Sequence, residues 1–318
     1  MIAEQLSGKR IAITGSTGFV GTALVERILR AVPDCTLVLL IRPSKRHDAT
    51  ERARREIFKN NAFDRLRAHH KAAGGETFDE MIDRRVHAIA GDVSRDGLGL
   101  NDTDRATLAT CDIVIHSAAA VSFDSPLDSA VEINLLGPVR IADTLNSIGV
   151  HPHLVAVSTC YVAGNRRGMA PEELVSAGPW DIGLDWRKEV AATRRLRGDT
   201  EAASRHPKQL AEFRAEARRE LGAAGAPALA AKTESLRESW VRAQLVEAGR
   251  ARAASVGWPD AYAFTKALGE QALTEVKGSV PVSIVRPSII ESALAEPFPG
   301  WIRGFRMAEP VKIGRAHV

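Results

Sequence analysis

"IAITGSTGFVGTALVERIL", Ile11–Leu29, is the stretch on which the fold turns. Its first residues, with Arg10, form a short β-rich apolar run ending at Thr14, and its last residues, from Val20 on, place apolar side chains at helical spacing. Between them stand Gly15, Gly18 and Gly21. Gly15 permits a tight turn, Gly18 lets a backbone approach a pyrophosphate, and Gly21 lets helix and strand pack closely. The helix start offers free N–H groups and the positive end of its dipole to phosphate oxygens. A strand before these glycines and a helix after them therefore predict nucleotide binding.

The same alternation continues outward. Thr36–Ile41, Val86–Ala90, Asp112–His116, Leu154–Ser158 and Pro281–Arg286 read as further buried strands, and 49–71, 126–148 and 261–276 as helices. Strand and helix in alternation predict an α/β fold with a doubly wound parallel sheet. Asp185–Val256 breaks the rhythm. With 15 Lys or Arg against 10 Asp or Glu it has no strand-like run, and its helical spacing at Leu210, Phe213, Ala217 and Leu221, then at Leu236, Trp240 and Ala243, predicts an inserted helical hairpin turning at "GAAGAP". Two uses of that hairpin stand side by side, a solvated surface elaboration and a cap over a long substrate. The expected organisation is a nucleotide-binding domain over 1–184, the insertion over 185–256 and the domain's continuation over 257–311.

Composition narrows the function class. The chain has 318 residues and a formal net charge of +4, and a pI near 9.1 leans toward anionic partners. Three unclustered cysteines, Cys35, Cys111 and Cys160, argue against a disulfide framework and a metal site, and so for a reducing cytoplasm. No apolar run approaches the roughly 20 residues that span a bilayer, and the N-terminus lacks the order of a signal peptide, which leaves peripheral membrane contact open. The insertion's mixed charges, with no interleaved aromatic set, argue against nucleic acid.

The second strand ends "TLVLLIRPSKR". An acidic residue there would bond a ribose 2′-hydroxyl, whereas Arg42, with Lys45 and Arg46 behind it, suits a 2′-phosphate, so NADPH is the expected cofactor. One of the chain's two tyrosines, Tyr262, stands four positions before Lys266 in "PDAYAFTKALGE". Residues so spaced share a helix face. A tyrosine of ordinary pKa, about 10, exchanges protons poorly at neutral pH, and a lysine cation one turn away favours its phenolate. Thr159, at the C-terminal end of its strand, offers a second hydroxyl. Tyr161 lacks such a lysine and reads as packing or pocket wall. Cys160 has no base or cation nearby to activate it. His116 reads as structural or cofactor-adjacent, with no second ligand at metal spacing, and His69 and His70 as solvated.

"TGSTGFVG", "GDV" at 91–93, "HSAA" at 116–119, Asn134, "VSTCYVAG" and "YAFTK" together resemble the extended short-chain dehydrogenase/reductases. With "LLIRP", "YAFTKALGE" and "IVRPSII" the set is most similar to the fatty acyl-CoA reductases of the male-sterility type, in order from Lys9 to Arg303. The resemblance implies a Rossmann-type domain that holds NADPH through Thr14, Gly15, Ser16, Thr17, Gly18, Phe19, Val20 and Gly21. It adds Asp92 and Val93 beside the adenine, Ala118 and Ala119 under the cofactor, Lys266 and Pro287, and Arg42 at the 2′-phosphate. Asn134 is to hold a structural water or a backbone kink, and Thr159, Tyr262 and Lys266 are to be catalytic. The implied substrate is a long-chain acyl-CoA or acyl carrier protein thioester, reduced to aldehyde, alcohol or both. The departure is the 103 positions between Thr159 and Tyr262, which the insertion explains. Two alternatives are weighed: another extended reductase, such as a sugar-nucleotide epimerase or dehydratase or a hydroxysteroid dehydrogenase, disfavoured by Arg42, and a non-catalytic nucleotide-binding interaction protein. "KIGRAHV", 312–318, reads as a non-native tail, the expectation being that the native sequence runs on past Val311 and that part of the acyl pocket lies there.

Overall fold

The computed structural model describes residues 2–178, 183–222 and 225–303; the tail at 312–318 lies outside them. Six strands, β1 (Arg10–Thr14), β2 (Thr36–Ile41), β3 (Val86–Ala90), β4 (Ile113–His116), β5 (His153–Val157) and β6 (Val282–Val285), make one sheet in the order β3-β2-β1-β4-β5-β6. All five pairings are parallel. That is the strand order of dinucleotide-binding sheets, and the reversal of direction between β1 and β4 is where such sheets place a ligand. β1 and β2 are apolar and buried on both faces, as parallel strands covered by helices must be, while β3, β4, β5 and β6 are less evenly buried.

The chain forms two compact units. The sheet unit holds the described residues of 1–119, 136–160 and 273–303. Its helix Phe19–Ala31 buries Val25, Ile28 and Leu29, and Phe19 stacks on the buried Trp301 with ring centroids 5.1 Å apart. Below the sheet's N-terminal edge the buried Arg85 guanidinium donates to the carbonyls of Leu29, at 2.7 Å, of Cys35, at 3.1 Å, and of Val32. A buried cation is thereby supplied with acceptors.

Helix boundaries differ from expectation where side chains compete for the backbone. The helix expected over 49–71 is four pieces, Ala49–Arg52, a π turn at Ala53–Phe58, a 3-10 turn at Asn61–Phe63 and Asp64–Ala73. The Asn60 side chain accepts the Ala62 N–H at 2.9 Å and so restarts the chain there. An unanticipated helix, Phe78–Arg85, opens on a Thr77–Glu80 capping box. Between Leu127–Ala130 and Leu136–Ser147, the helix expected over 126–148 passes through a π segment at Val131–Leu135.

The helical unit holds the described residues of 120–135 and 161–272, so it is larger than the insertion. Instead of a hairpin of two helices, the insertion forms three: Trp186–Ser204, Pro207–Leu221 and Ala226–Ser255. Pro207 supplies the missing break, since proline cannot continue a helix but starts one well. Arg237, 4% exposed, ties the third of these helices to the first, donating to Glu201 at 2.6 Å and to Ser204 at 2.9 Å, and also to Glu234 on its own helix. Among the described residues no helix is long and apolar enough to cross a membrane, and no group of His, Cys, Asp or Glu could hold a metal ion.

Candidate active site

In the sheet unit the glycines of the opening motif are fixed by distance. Gly15 has φ +74°, and a Cβ on it would stand 2.6 Å from the Ala118 nitrogen. Only glycine lets the ends of β1 and β4 close in this way. A Cβ on Gly21 would lie 2.2 Å from the Gly15 oxygen, so helix and turn are in backbone contact there. Gly18 is the N-cap of Phe19–Ala31, and no side chain caps that end. The first N–H groups of a helix have no partner within it and suit an anion. The Ser16 hydroxyl is buried beside this helix start with no partner among the described residues. A cradle that a Cβ would fill, an uncapped helix start and an orphaned buried hydroxyl together fit a nucleotide pyrophosphate.

The neighbouring side chains divide between cradle and framework. Thr14 is framework: its hydroxyl shares a proton with His116 Nδ1 at 2.8 Å and accepts from the Ala118 N–H at 3.2 Å, which pins the β4 exit. His116 is buried and bonded within the fold, a structural part. Thr17, Val20, Ala118 and Ala119 are half-buried around the turn. Asp92 accepts from the Ser94 N–H and hydroxyl at 2.9 and 2.7 Å, and Val93 is buried behind it. Arg42 is exposed at the end of β2, where its carbonyl accepts from the Arg52 guanidinium.

Thr159 follows β5 and is 4% exposed. The ladder to β6 continues on both sides of it, Ser158 N–H donating to Val285 O at 2.7 Å and Cys160 N–H to Pro287 O at 3.0 Å. Pro287 thus serves through its backbone.

The helical unit holds the Tyr–Lys pair. Asp260 opens the helix Ala261–Val276 by accepting the Ala263 N–H at 2.8 Å, and its burial raises the carboxyl's pKa. Tyr262 is half-buried on the first turn and Lys266 is buried one turn on. Burial is the larger influence on Lys266, lowering its pKa to about 8, and Glu270, a further turn along and equally buried, opposes it. An ammonium so placed is held near the pH at which it can exchange a proton or lend its charge to a phenolate.

Two neighbours set this helix. Asn134, in the π segment, grips Ala120 twice, accepting its N–H at 2.8 Å and donating to its O at 3.1 Å, and reaches the Thr265 hydroxyl at 3.3 Å. Asn134 thus stands within the π segment, and its side chain clamps the Ala120 backbone. Gly269 passes so close that a Cβ would stand 2.4 Å from Asn134 O. Phe123 then packs edge-on to both tyrosines, 6.1 Å from Tyr262 and 6.4 Å from Tyr161. Sequence reading missed Phe123, Asp260 and Glu270. Asp260 before a helical run is an N-cap signal, and Glu270 four positions after Lys266 shares its face.

Comparison with known proteins gives a consistent set. The profile of the family described as "Male sterility protein" matches residues 13–317. The chain is 32% identical over 313 residues to "Probable fatty acyl-CoA reductase 5" of Arabidopsis thaliana, covering 98% of this chain and 57% of that protein. It is 31% identical over 318 residues to "Alcohol-forming fatty acyl-CoA reductase" of Simmondsia chinensis, with 98% and 57% covered. The chain thus spans somewhat more than half the length of these relatives. Among solved structures, the terminal R domain from the myxalamid PKS-NRPS biosynthetic pathway is similar at 20% identity and TM-score 0.49, over 90% of this chain and 50% of that one.

Proposed function

Because the chain belongs to the male sterility protein family, we propose that it supplies the NADPH-dependent step that reduces a fatty acyl thioester, with acyl-CoA or an acyl carrier protein as the thiol carrier. The observation that carries this reading is the half-buried Tyr262 one helical turn before a buried Lys266, in a chain that over 98% of its length matches proteins named fatty acyl-CoA reductases. Bound NADPH supplies the hydride that adds to the thioester carbonyl carbon. The Gly15–Gly21 cradle receives the pyrophosphate, and Arg42 is assigned the 2′-phosphate that distinguishes NADPH from NADH.

The protein's own part is proton transfer and charge stabilisation. Tyr262 donates its phenolic proton to the carbonyl oxygen as negative charge develops there, and the Lys266 cation stabilises the phenolate that remains. Thr159 is assigned a second hydrogen bond to the same oxygen, from the resemblance and its place at the end of β5. The resulting hemithioacetal breaks its C–S bond, giving aldehyde and free thiol; where reduction continues to the alcohol, a second NADPH would supply the second hydride. Tyr262→Phe tests the reading: NADPH oxidation with a long-chain acyl-CoA should fall by at least about 100-fold, the typical share of general acid catalysis, with NADPH affinity unchanged. Turnover that survives the substitution would contradict it.

A further inference from the structure

The insertion's long helix, Ala226–Ser255, and the ring of Phe123 form one construction in the helical unit. The loop that carries Phe123 is fastened at both ends. Asn134 clamps Ala120 at its start, and at its far end Asp124 is ion-paired to Arg250, with Arg242 donating to its carbonyl at 3.4 Å. Arg242 and Arg250 both belong to the long helix. That helix also passes Gly249 between the two elements of interest: a Cβ there would stand 3.2 Å from the Ala261 Cβ, next to Tyr262, and 3.3 Å from the Leu127 Cβ, just past the Phe123 loop. The helix is therefore the common backing of the tyrosine's helix and of the loop that brings Phe123 to it.

What this construction brings against Tyr262 is the ring of Phe123, in a loop that also exposes Val121, Ser122 and Asp124. Phe123 is 37% exposed and Val121 53%, although both are large hydrophobic side chains. The loop's one acid, Asp124, is engaged by the long helix's arginines. A partly exposed aromatic ring packed edge-on to the tyrosine suits a hydrocarbon chain whose terminal carbonyl meets the phenolic hydroxyl. We infer that Phe123 is the specificity-determining residue against which the acyl chain lies next to its thioester carbonyl, and that the long helix of the insertion sets the gap between Phe123 and Tyr262 through Gly249. The inference rests on the assignment of Tyr262 as proton donor.

The test compares dodecanoyl-CoA, which has a chain to lay along Phe123, with acetyl-CoA, which has none. Calorimetric binding and NADPH oxidation are measured on the full-length protein and its variants. Phe123→Ala should weaken dodecanoyl-CoA binding by about tenfold and lower its kcat/KM to match, the worth of one buried aromatic contact. Acetyl-CoA and NADPH affinities should stay as in the unsubstituted chain. Gly249→Leu, which forces a side chain into the contact with Leu127 and Ala261, should show the same selective loss, and circular dichroism confirms that both variants fold. If either variant misfolds, Phe123→Leu keeps the comparison, with a smaller loss on dodecanoyl-CoA only. Equal losses on both thioesters, or none on either, would overturn the inference while leaving Tyr262 to its own substitution. An unsubstituted chain that neither binds nor reduces dodecanoyl-CoA would overturn the underlying reading, and this inference with it.

Discussion

Lys266→Met should make the protein more stable and inactive, and the gain in stability should vanish at high pH. Lys266 is 6% exposed, and its pKa falls from 10.5 to about 8. At about 1.36 kcal/mol per unit, that difference puts the cost of carrying the charged form in the folded state near 3 kcal/mol. The folded-state pKa lies below the unfolded one, so between about 8 and 10.5 the unfolded chain binds more protons and stability rises with pH. Below about 8 the penalty is fully present. Methionine fills nearly the same volume without the charge, and losing the ammonium's hydrogen bonding returns about 1 kcal/mol of the gain. A net gain near 2 kcal/mol corresponds to a Tm rise of about 4 °C at pH 7. Calorimetric melts of both proteins at pH 7 and pH 10.5 would check this, with NADPH oxidation measured in parallel. A Tm difference of the same size at both pH values, or a destabilised variant at pH 7, would refute the reasoning that burial strains the charged lysine.

Glu270→Gln removes the charge that raises Lys266's pKa, so the alkaline limb of the pH–rate profile should move to lower pH by about one unit; an unmoved limb would separate Glu270 from the pair. Arg42→Ala should reduce the preference for NADPH over NADH by about 10- to 100-fold, the worth of a hydrogen bond to a charged group, read from the Kd of each cofactor. Gly15→Ala places a methyl 2.6 Å from the Ala118 nitrogen at a φ of +74°, so nucleotide binding should be lost and Tm lowered by several degrees, corresponding to at least about 1–2 kcal/mol.

How far the sequence could be read follows from the range of the interactions involved. β1, β2 and β3 sit where expected because a buried parallel strand announces itself by apolar, branched residues bounded by turns, and β4, β5 and β6 shift by only a residue at either end. The Gly15–Gly21 turn was legible because each glycine answers a local steric demand. The Tyr262–Lys266 relation was equally legible, since both lie on one helix. What was not legible depends on residues distant in sequence. Asn134 gains its clamp only when Ala120 and Thr265 are brought to it, and nothing around Phe123 in the chain announces the two tyrosine rings that flank it. Trp301 likewise finds Phe19 only through the fold. The third insertion helix is a different case, because Pro207 was there to be read and marks the break between Trp186–Ser204 and Pro207–Leu221.

The central claim is that hydride passes from NADPH to a thioester carbonyl with Tyr262 giving the proton. It is tested most directly by incubating the protein with 4-deuterated NADPH and dodecanoyl-CoA and analysing the products by mass spectrometry. The account predicts dodecanal or dodecanol carrying deuterium at C1, with stoichiometric free CoA, and at least about 100-fold less of either product from Tyr262→Phe. Unlabelled aldehyde, or CoA released without any reduced product, would contradict it.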